Sequence, residues 1–242
     1  MQKIVSLQHP LIKHWIDLRK EKAYRESSGT VLLIGEKIIR EYPFSIRRLV
    51  SLNAIDIEAQ EKYLATEEML KKITGLGFFA GVIAEVDLPS SQSMDGKKFL
   101  LILDKIQDPG NLGTLLRTSL ALGWEGVVAT PGTVDFFNDK SLRAGRGAIF
   151  RLPFAWKTPE EILVWAKKSE AQLWLADAKG KSFSEVSFQG PQALILSNEG
   201  QGGSLWAQLN AMPLAVPLKN DVESLNVSSA GAILLYGIKG IS

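Results

Sequence analysis

The chain has 242 residues, of which 45% are hydrophobic and 22% charged, with a formal net charge of +2 and no cysteine. That length fits one large domain or two modest ones, and the apolar fraction belongs to a globular chain rather than a disordered one. The lack of cysteine excludes disulfide scaffolds, Cys-ligated zinc, iron–sulfur clusters and thiol catalysis together, and His9 and His14 are too few for a histidine-rich metal site. No apolar run approaches the ~20 residues that span a bilayer. The first twenty residues carry His9, Lys13, His14, Asp17 and Arg19 where a secretory segment would be apolar, so a cytoplasmic protein without membrane contact is expected. Charge is uneven: residues 1–50 hold ten Lys and Arg against five Asp and Glu, whereas the remainder has 18 against 21. A basic front end fits a polyanionic partner, and it equally fits a solvated helix face.

In chain order, Pro10 to Tyr24 reads as a helix with Leu11, Trp15 and Leu18 on one face, Thr30 to Ile34 as a strand, and Lys37 to Tyr42 as a helix. Arg48 to Leu52 and Gly81 to Val86 read as further strands, which makes a small mixed α/β domain. Pro, Ser and Gly crowd residues 87–97, the expected boundary between a domain over 1–92 and a second over 98–242. Beyond it lie the apolar run Phe99–Leu103, a loop from Asp104, and Leu112, Leu115, Leu116 and Ser119 at helical spacing. A strand over Gly126–Thr130 and a helix over Pro159–Ala171 come next. Short buried strands follow at Leu173–Ala176, Ala193–Ser197 and Leu214–Val216, and Ser224 is placed to cap a last helix reaching Ile238. This alternation predicts a mostly parallel sheet covered on both faces, with ligands at the carboxyl ends of its strands, in the loops 104–111, 197–203 and 217–224.

Three segments carry chemistry. In the first, Asp108-Pro109-Gly110 makes a tight turn before a helix whose free N–H groups attract anions; Asn111 fits either a cap or a site group, and Arg117 either a surface residue or one serving the loop. In the second, a buried strand runs through Leu196 and Ser197 into Asn198-Glu199-Gly200 and further glycines, where a ligand can approach the backbone closely. Glu199 suits a helix cap or a site carboxylate. In the third, Val216-Pro217-Leu218 leads to Ser224-Leu225-Asn226-Val227-Ser228, with small residues behind them that permit close helix packing.

In their order and spacing these blocks resemble the SpoU (TrmH-type) RNA 2′-O-ribose methyltransferases of the SPOUT class. The carriers are Asp108-Pro109-Gly110-Asn111-Leu112-Gly113 with Arg117, then Ser197-Asn198-Glu199-Gly200, then Pro217 with Ser224-Leu225-Asn226-Val227-Ser228. The resemblance implies a deep trefoil knot in an α/β fold, and S-adenosylmethionine held chiefly by backbone groups around Leu196, Ser197, Gly200, Val216, Leu218, Leu225 and Ser228. It also implies a homodimer with the active site near its interface, and transfer of a methyl group to a ribose 2′-oxygen of ribosomal or transfer RNA, ribosomal RNA favoured. Arg117 is the family's catalytic arginine. A guanidinium is a poor base, so a cationic clamp on phosphate and developing alkoxide is the better expectation, with Asn111, Glu199, Ser224 and Asn226 fixing Arg117 and the ribose. No metal is needed.

The front portion, especially Ile4 to Pro10 and Tyr24-Arg25 to Glu41, resembles more weakly the family's ribosomal-protein-like substrate-binding domain, for which Arg19, Lys22, Tyr24 and Arg25 are candidate RNA contacts, with Arg143 and Arg146 on the catalytic domain. Two positions depart from the family pattern: Ile34 where an acid is usual before Gly35, and Gly145 where Ser is usual. Two other readings are weighed against this one. Gly75-Leu-Gly-Phe-Phe-Ala80 fits a loose dinucleotide-binding string but follows no convincing strand. An RNA-binding paralogue without catalysis is disfavoured by the joint presence of Asn111, Arg117, Glu199, Ser224 and Asn226. The six tryptophans sit in apolar patterns and read as core or dimer contacts.

Overall fold

A computed structural model describes residues 1–79, 81–197, 203–220 and 222–240. The first part of the chain runs β1 (Gln2–Lys3), α1 (Pro10–Lys20), α2 (Lys22–Ser28), β2 (Thr30–Ile34), α3 (Glu36–Arg40), β3 (Ile46–Ser51), β4 (Glu61–Leu64), α4 (Glu67–Thr74) and β5 (Val82–Asp87). These strands form a mixed sheet in the order β1-β4-β3-β5-β2. Pro10 opens α1, and the His9 imidazole caps it, accepting from the Leu11 N–H at 3.3 Å. Ile12, Trp15 and Leu18 are its buried stripe.

The helix expected to reach Tyr24 stops at Lys20. Glu21 is extended (φ −116°, ψ 116°), and α2 starts afresh after it. The bend lets the Arg25 guanidinium turn back and donate to the Leu18 carbonyl at 2.7 Å and the Arg19 carbonyl at 3.3 Å, acceptors that a helix end leaves without partners. Gly75, in the loose dinucleotide string, closes α4 in the left-handed conformation (φ 68°). That string therefore follows a helix rather than a strand, and the dinucleotide reading falls with it; Ala80 lies outside the described residues.

The second part runs β6 (Phe99–Asp104), α5 (Pro109–Ala121), β7 (Gly126–Ala129), α6 (Asp139–Gly145), β8 (Phe154–Trp156), α7 (Pro159–Ser169), β9 (Gln172–Ser182), β10 (Gln192–Ser197), α8 (Gly203–Gln208), β11 (Met212–Ala215) and α9 (Val227–Lys239). Its six strands are all parallel, in the order β11-β9-β10-β6-β7-β8. Side chains alternate between two cores as the pleat requires. Leu101 and Leu103 face α5, α6 and α9, whereas Leu100 and Ile102 face α7 and α8. The first core also takes in Val31 and Leu33 from the small sheet and Ile38 and Ile39 from α3, so the two parts share apolar packing. Arg25, 3% exposed, adds an ion pair to Asp135 across that junction.

Five tryptophans, Trp15, Trp124, Trp165, Trp174 and Trp206, are buried, and each indole N–H has an acceptor: Glu85, Leu235 O, Met94 O, Gln192 and Asp104 respectively. Glu85 is 2% exposed and also meets His14 and Arg48, each at 3.1 Å. Burial works to raise its carboxyl, but hydrogen bonds from His14 and Trp15 and the charges of His14 and Arg48 outweigh that and bring it to about 2.

Candidate active site

The cleft lies where several carboxyl strand ends meet two helix starts. Strands β6 and β10 pair residue for residue, ending with Ser197 opposite Asp104. On the far side of β10, the pairing of β9 with β11 jumps from Leu175–Pro213 to Lys181–Leu214. Residues 176–180 thus bulge out of the ladder and supply a wall. Gly180 is pressed so closely to the Pro213–Leu214 backbone that a Cβ there would sit 2.5 Å from the Pro213 carbonyl carbon.

After β6 the chain turns through Lys105 with φ 55°. The loop is held by Val134 N–H on the Ile106 carbonyl (2.8 Å) and Lys105 N–H on Thr130 Oγ1 (3.3 Å). Asp108 caps α5, its carboxylate accepting from the Asn111 N–H at 2.7 Å. The cap is therefore Asp108, and the Asn111 side chain has no hydrogen bond to any described residue. At the last helix the expected cap is corrected: Asn226, not Ser224, caps α9, with Ser228 N–H donating to Asn226 Oδ1 at 2.9 Å. Both residue types suit a cap, but α9 begins only at Val227, which leaves Ser224 in the loop before it.

Two pockets adjoin in this cleft and share Ser197, Ser224, Leu225 and Val227. The first is lined mainly by apolar groups, Ala176, Ala178, Leu196, Leu214, Val216, Leu218, Ala230 and Leu234, together with Asp177. The second is more polar and adds Ile106, Gln107, Asp108, Asn111 and Asn226. Both α5 and α9 present their amino termini to the second pocket, so two helix dipoles favour negative charge there. Gly231 lets α9 close over the first: a Cβ on it would lie 2.5 Å from Leu115 Cδ2 and 2.6 Å from Leu196 Cδ1. Apolar walls with a few polar groups at one end suit a ligand with an apolar body and a polar tail.

Of the expected site residues, Asn111, Leu196, Ser197, Val216, Leu218, Ser224, Leu225 and Asn226 line this cleft. Glu199 and Gly200 lie outside the described residues. Ser228 does not line it; its hydroxyl donates to Asn226 Oδ1 at 2.6 Å. Arg117 sits on the exposed side of α5, lines neither pocket and has no ion pair with a described residue. Asp177 and Gln107 also line the cleft and Asp104 lies behind Ser197; these three residues fall outside the expected site. A carboxylate closing the apolar run of β6 was the available signal for Asp104.

Among the expected RNA contacts, Arg25 is corrected. Its guanidinium is committed to Asp135 and the α1 carbonyls and is not available to a phosphate. The Tyr24 hydroxyl is engaged by His14 Nδ1 at 2.9 Å. Arg19 packs under the Gly75 turn, where a Cβ would fall 2.6 Å from its Nη1. Arg143 is paired with Asp139. Lys22 lies exposed, 4.9 Å from the Trp156 ring centroid, and Arg146 is exposed.

The model of the SpoU rRNA methylase family matches residues 98–236, beginning one residue before β6. The 23S rRNA (guanosine(2553)-2′-O)-methyltransferase RlmP of Bacillus subtilis is 30% identical over 99% of this chain and 100% of its own. The human mitochondrial rRNA methyltransferase 3 is 25% identical over 90% of this chain and 69% of its own. The AdoMet-bound rRNA methyltransferase of Sinorhizobium meliloti superposes with a TM-score of 0.86 at 23% identity, covering 98% of this chain and 97% of that one. With a family model spanning more than half its length and a full-length relative at 30% identity, this chain belongs to the SpoU rRNA methylase family of the SPOUT class.

Proposed function

We propose that this protein transfers a methyl group from S-adenosylmethionine to a ribose 2′-hydroxyl of ribosomal RNA. The observation that carries the reading is the divided cleft, an apolar chamber and a polar chamber joined through Ser197, Ser224 and Leu225. S-adenosylmethionine, when bound, supplies a methyl group already attached to a good leaving group. Leu196, Val216, Leu218 and Leu225 exclude water around it, and backbone groups of the same loops are at hand to fix it. Asn111 and Asn226 orient the ribose from the polar chamber, where alignment of the reacting atoms is worth several kcal/mol. The two helix starts and Arg117 stabilise phosphate and developing alkoxide charge.

Arg117 lies outside the cleft of its own chain, so the site is completed in a homodimer. Exposed Ile233 and Tyr236 on α9 and Met212 on β11 offer apolar surface for the second copy. Residues 1–92, with Lys22 on their surface and Arg146 on the neighbouring sheet unit, bind the RNA, while 98–242 carry the chemistry. The start of the family match at residue 98 supports this division. Threading of the carboxy-terminal segment through a loop fits β11 lying at a sheet edge while α9 returns to pack on α5. The ribosomal RNA preference rests on relatives such as the B. subtilis enzyme.

The test is methylation of ribosomal RNA from cells lacking this protein, with purified enzyme and donor, read by mapping 2′-O-methyl groups. A single new mark on ribosomal RNA is expected; a mark only on transfer RNA would overturn the substrate, and none on either the activity. Arg117→Ala is expected to abolish transfer in a single turnover while donor affinity stays within about twofold. Unchanged turnover would refute the clamp.

A further inference from the structure

Asp104 ends β6 with a side chain 2% exposed, and no step above uses it. Its Oδ1 accepts from Thr130 Oγ1 at 2.6 Å, and its Oδ2 accepts from both Ser197 Oγ and Trp206 Nε1 at 2.9 Å. Among the described residues no cation pairs with it. A buried carboxylate is costly unless donors surround it, and here three neutral donors come from three separate places: the residue after β7, the end of β10 and α8.

Two consequences follow for the cleft. One carboxylate oxygen holds Ser197 and Trp206 at once and so ties the carboxyl end of β10 to α8. The Ser197 hydroxyl also has a single proton, given to Asp104, so toward the cleft it offers lone pairs only. We propose that Asp104 is a positioning residue for donor binding: it fixes the carboxyl end of β10 where the two pockets meet and makes Ser197 an obligate acceptor for a hydroxyl or amine of the methyl donor. The inference rests on the reading of the cleft as the S-adenosylmethionine site.

Calorimetric titration of the full-length protein with S-adenosylmethionine, single-turnover methylation and thermal melts separate this role from plain stability. Asp104→Ala is expected to weaken donor affinity by ~10-fold or more, since two buried donors lose their acceptor, while the rate at saturating donor stays within ~2-fold. Asp104→Asn should recover most of that affinity, because its amide oxygen still accepts from Ser197 and Trp206 while its NH₂ donates to Thr130 Oγ1. Thr130→Val, on the side of the carboxylate away from Ser197, is expected to lower the melting point with donor affinity within ~2-fold. Should Asp104→Ala not fold, Ser197→Ala deletes the acceptor itself and is expected to carry a comparable loss of affinity. Wild-type affinity in Asp104→Ala or Ser197→Ala, or a loss in Thr130→Val as large as in Asp104→Ala, would overturn the proposal. A wild-type protein that does not bind the donor at all would instead refute the site reading beneath it.

Discussion

Replacing Gly113 by Ala places a methyl group where α5 crosses α6. Its Cβ would lie 2.4 Å from the Ser141 carbonyl oxygen and 2.7 Å from both Ala144 Cβ and the Gly145 nitrogen. Two of these three atoms are backbone, so no side-chain rotation relieves the clash, and the helices must part by about 1 Å to restore ordinary contact. Overpacking of this kind costs about 1–3 kcal/mol, and backbone contacts put this site at the upper end. Against it stands the helix-propensity gain of Ala over Gly, about 1 kcal/mol. The net expectation is a loss of about 1–2 kcal/mol, or a fall in Tm of about 2–8 °C for a chain of this size. Thermal unfolding followed by circular dichroism measures it. A Tm equal to or above wild type would mean that propensity outweighs packing and that α5 and α6 are not in backbone contact.

At the junction of the two sheets, Arg25→Met leaves the Asp135 carboxylate and the end of α1 without their partner. A loss of about 3–5 kcal/mol in urea unfolding is expected, because breaking one member of a buried pair strands the other. Stability within 1 kcal/mol of wild type, roughly the scatter of surface changes, would refute the burial of that pair. Glu85 provides a pH signature. Its folded carboxyl sits at about 2 against an ordinary 4.5, so the stability it contributes is complete above about pH 5 and is lost as pH falls toward 2. The stability gap between wild type and Glu85→Gln should therefore shrink by about 2 kcal/mol from pH 6 to pH 3, and a constant gap would contradict the network around it.

The large parallel sheet was legible because fully buried strands read as plain apolar runs, as in Phe99–Leu103 and Ala193–Ser197, each followed by turn or glycine residues. The cleft was legible for the same reason: its residues cluster at the ends of those runs. The helix α4 is not among the expected elements although its signals stand in the sequence, with Thr66 as cap, Glu67 and Glu68 in the first turn, Lys71 and Lys72 in the last and Gly75 beyond. Other features depend on partners far along the chain. The break at Glu21 and the burial of Arg25 are set by Asp135, 110 residues away, while the neighbours of Arg25 in sequence suggest an exposed basic face. Gly145, where the family pattern has Ser, is explained by packing. A Cβ there would lie 3.0 Å from the Gly113 carbonyl oxygen, so the smallest residue lets α6 approach α5. The choice of Asn226 over Ser224 as cap is decided by backbone angles that residue type alone does not reveal.

The account stands on the cleft between β10, β11 and α9 holding the methyl donor, and a crystal structure of the protein with S-adenosylhomocysteine tests that most directly. The expected result is ligand density between Leu196, Val216 and Leu225, with the amino-acid end or ribose within hydrogen-bonding distance of Ser197. An empty cleft at saturating ligand, or density at another site, would contradict it.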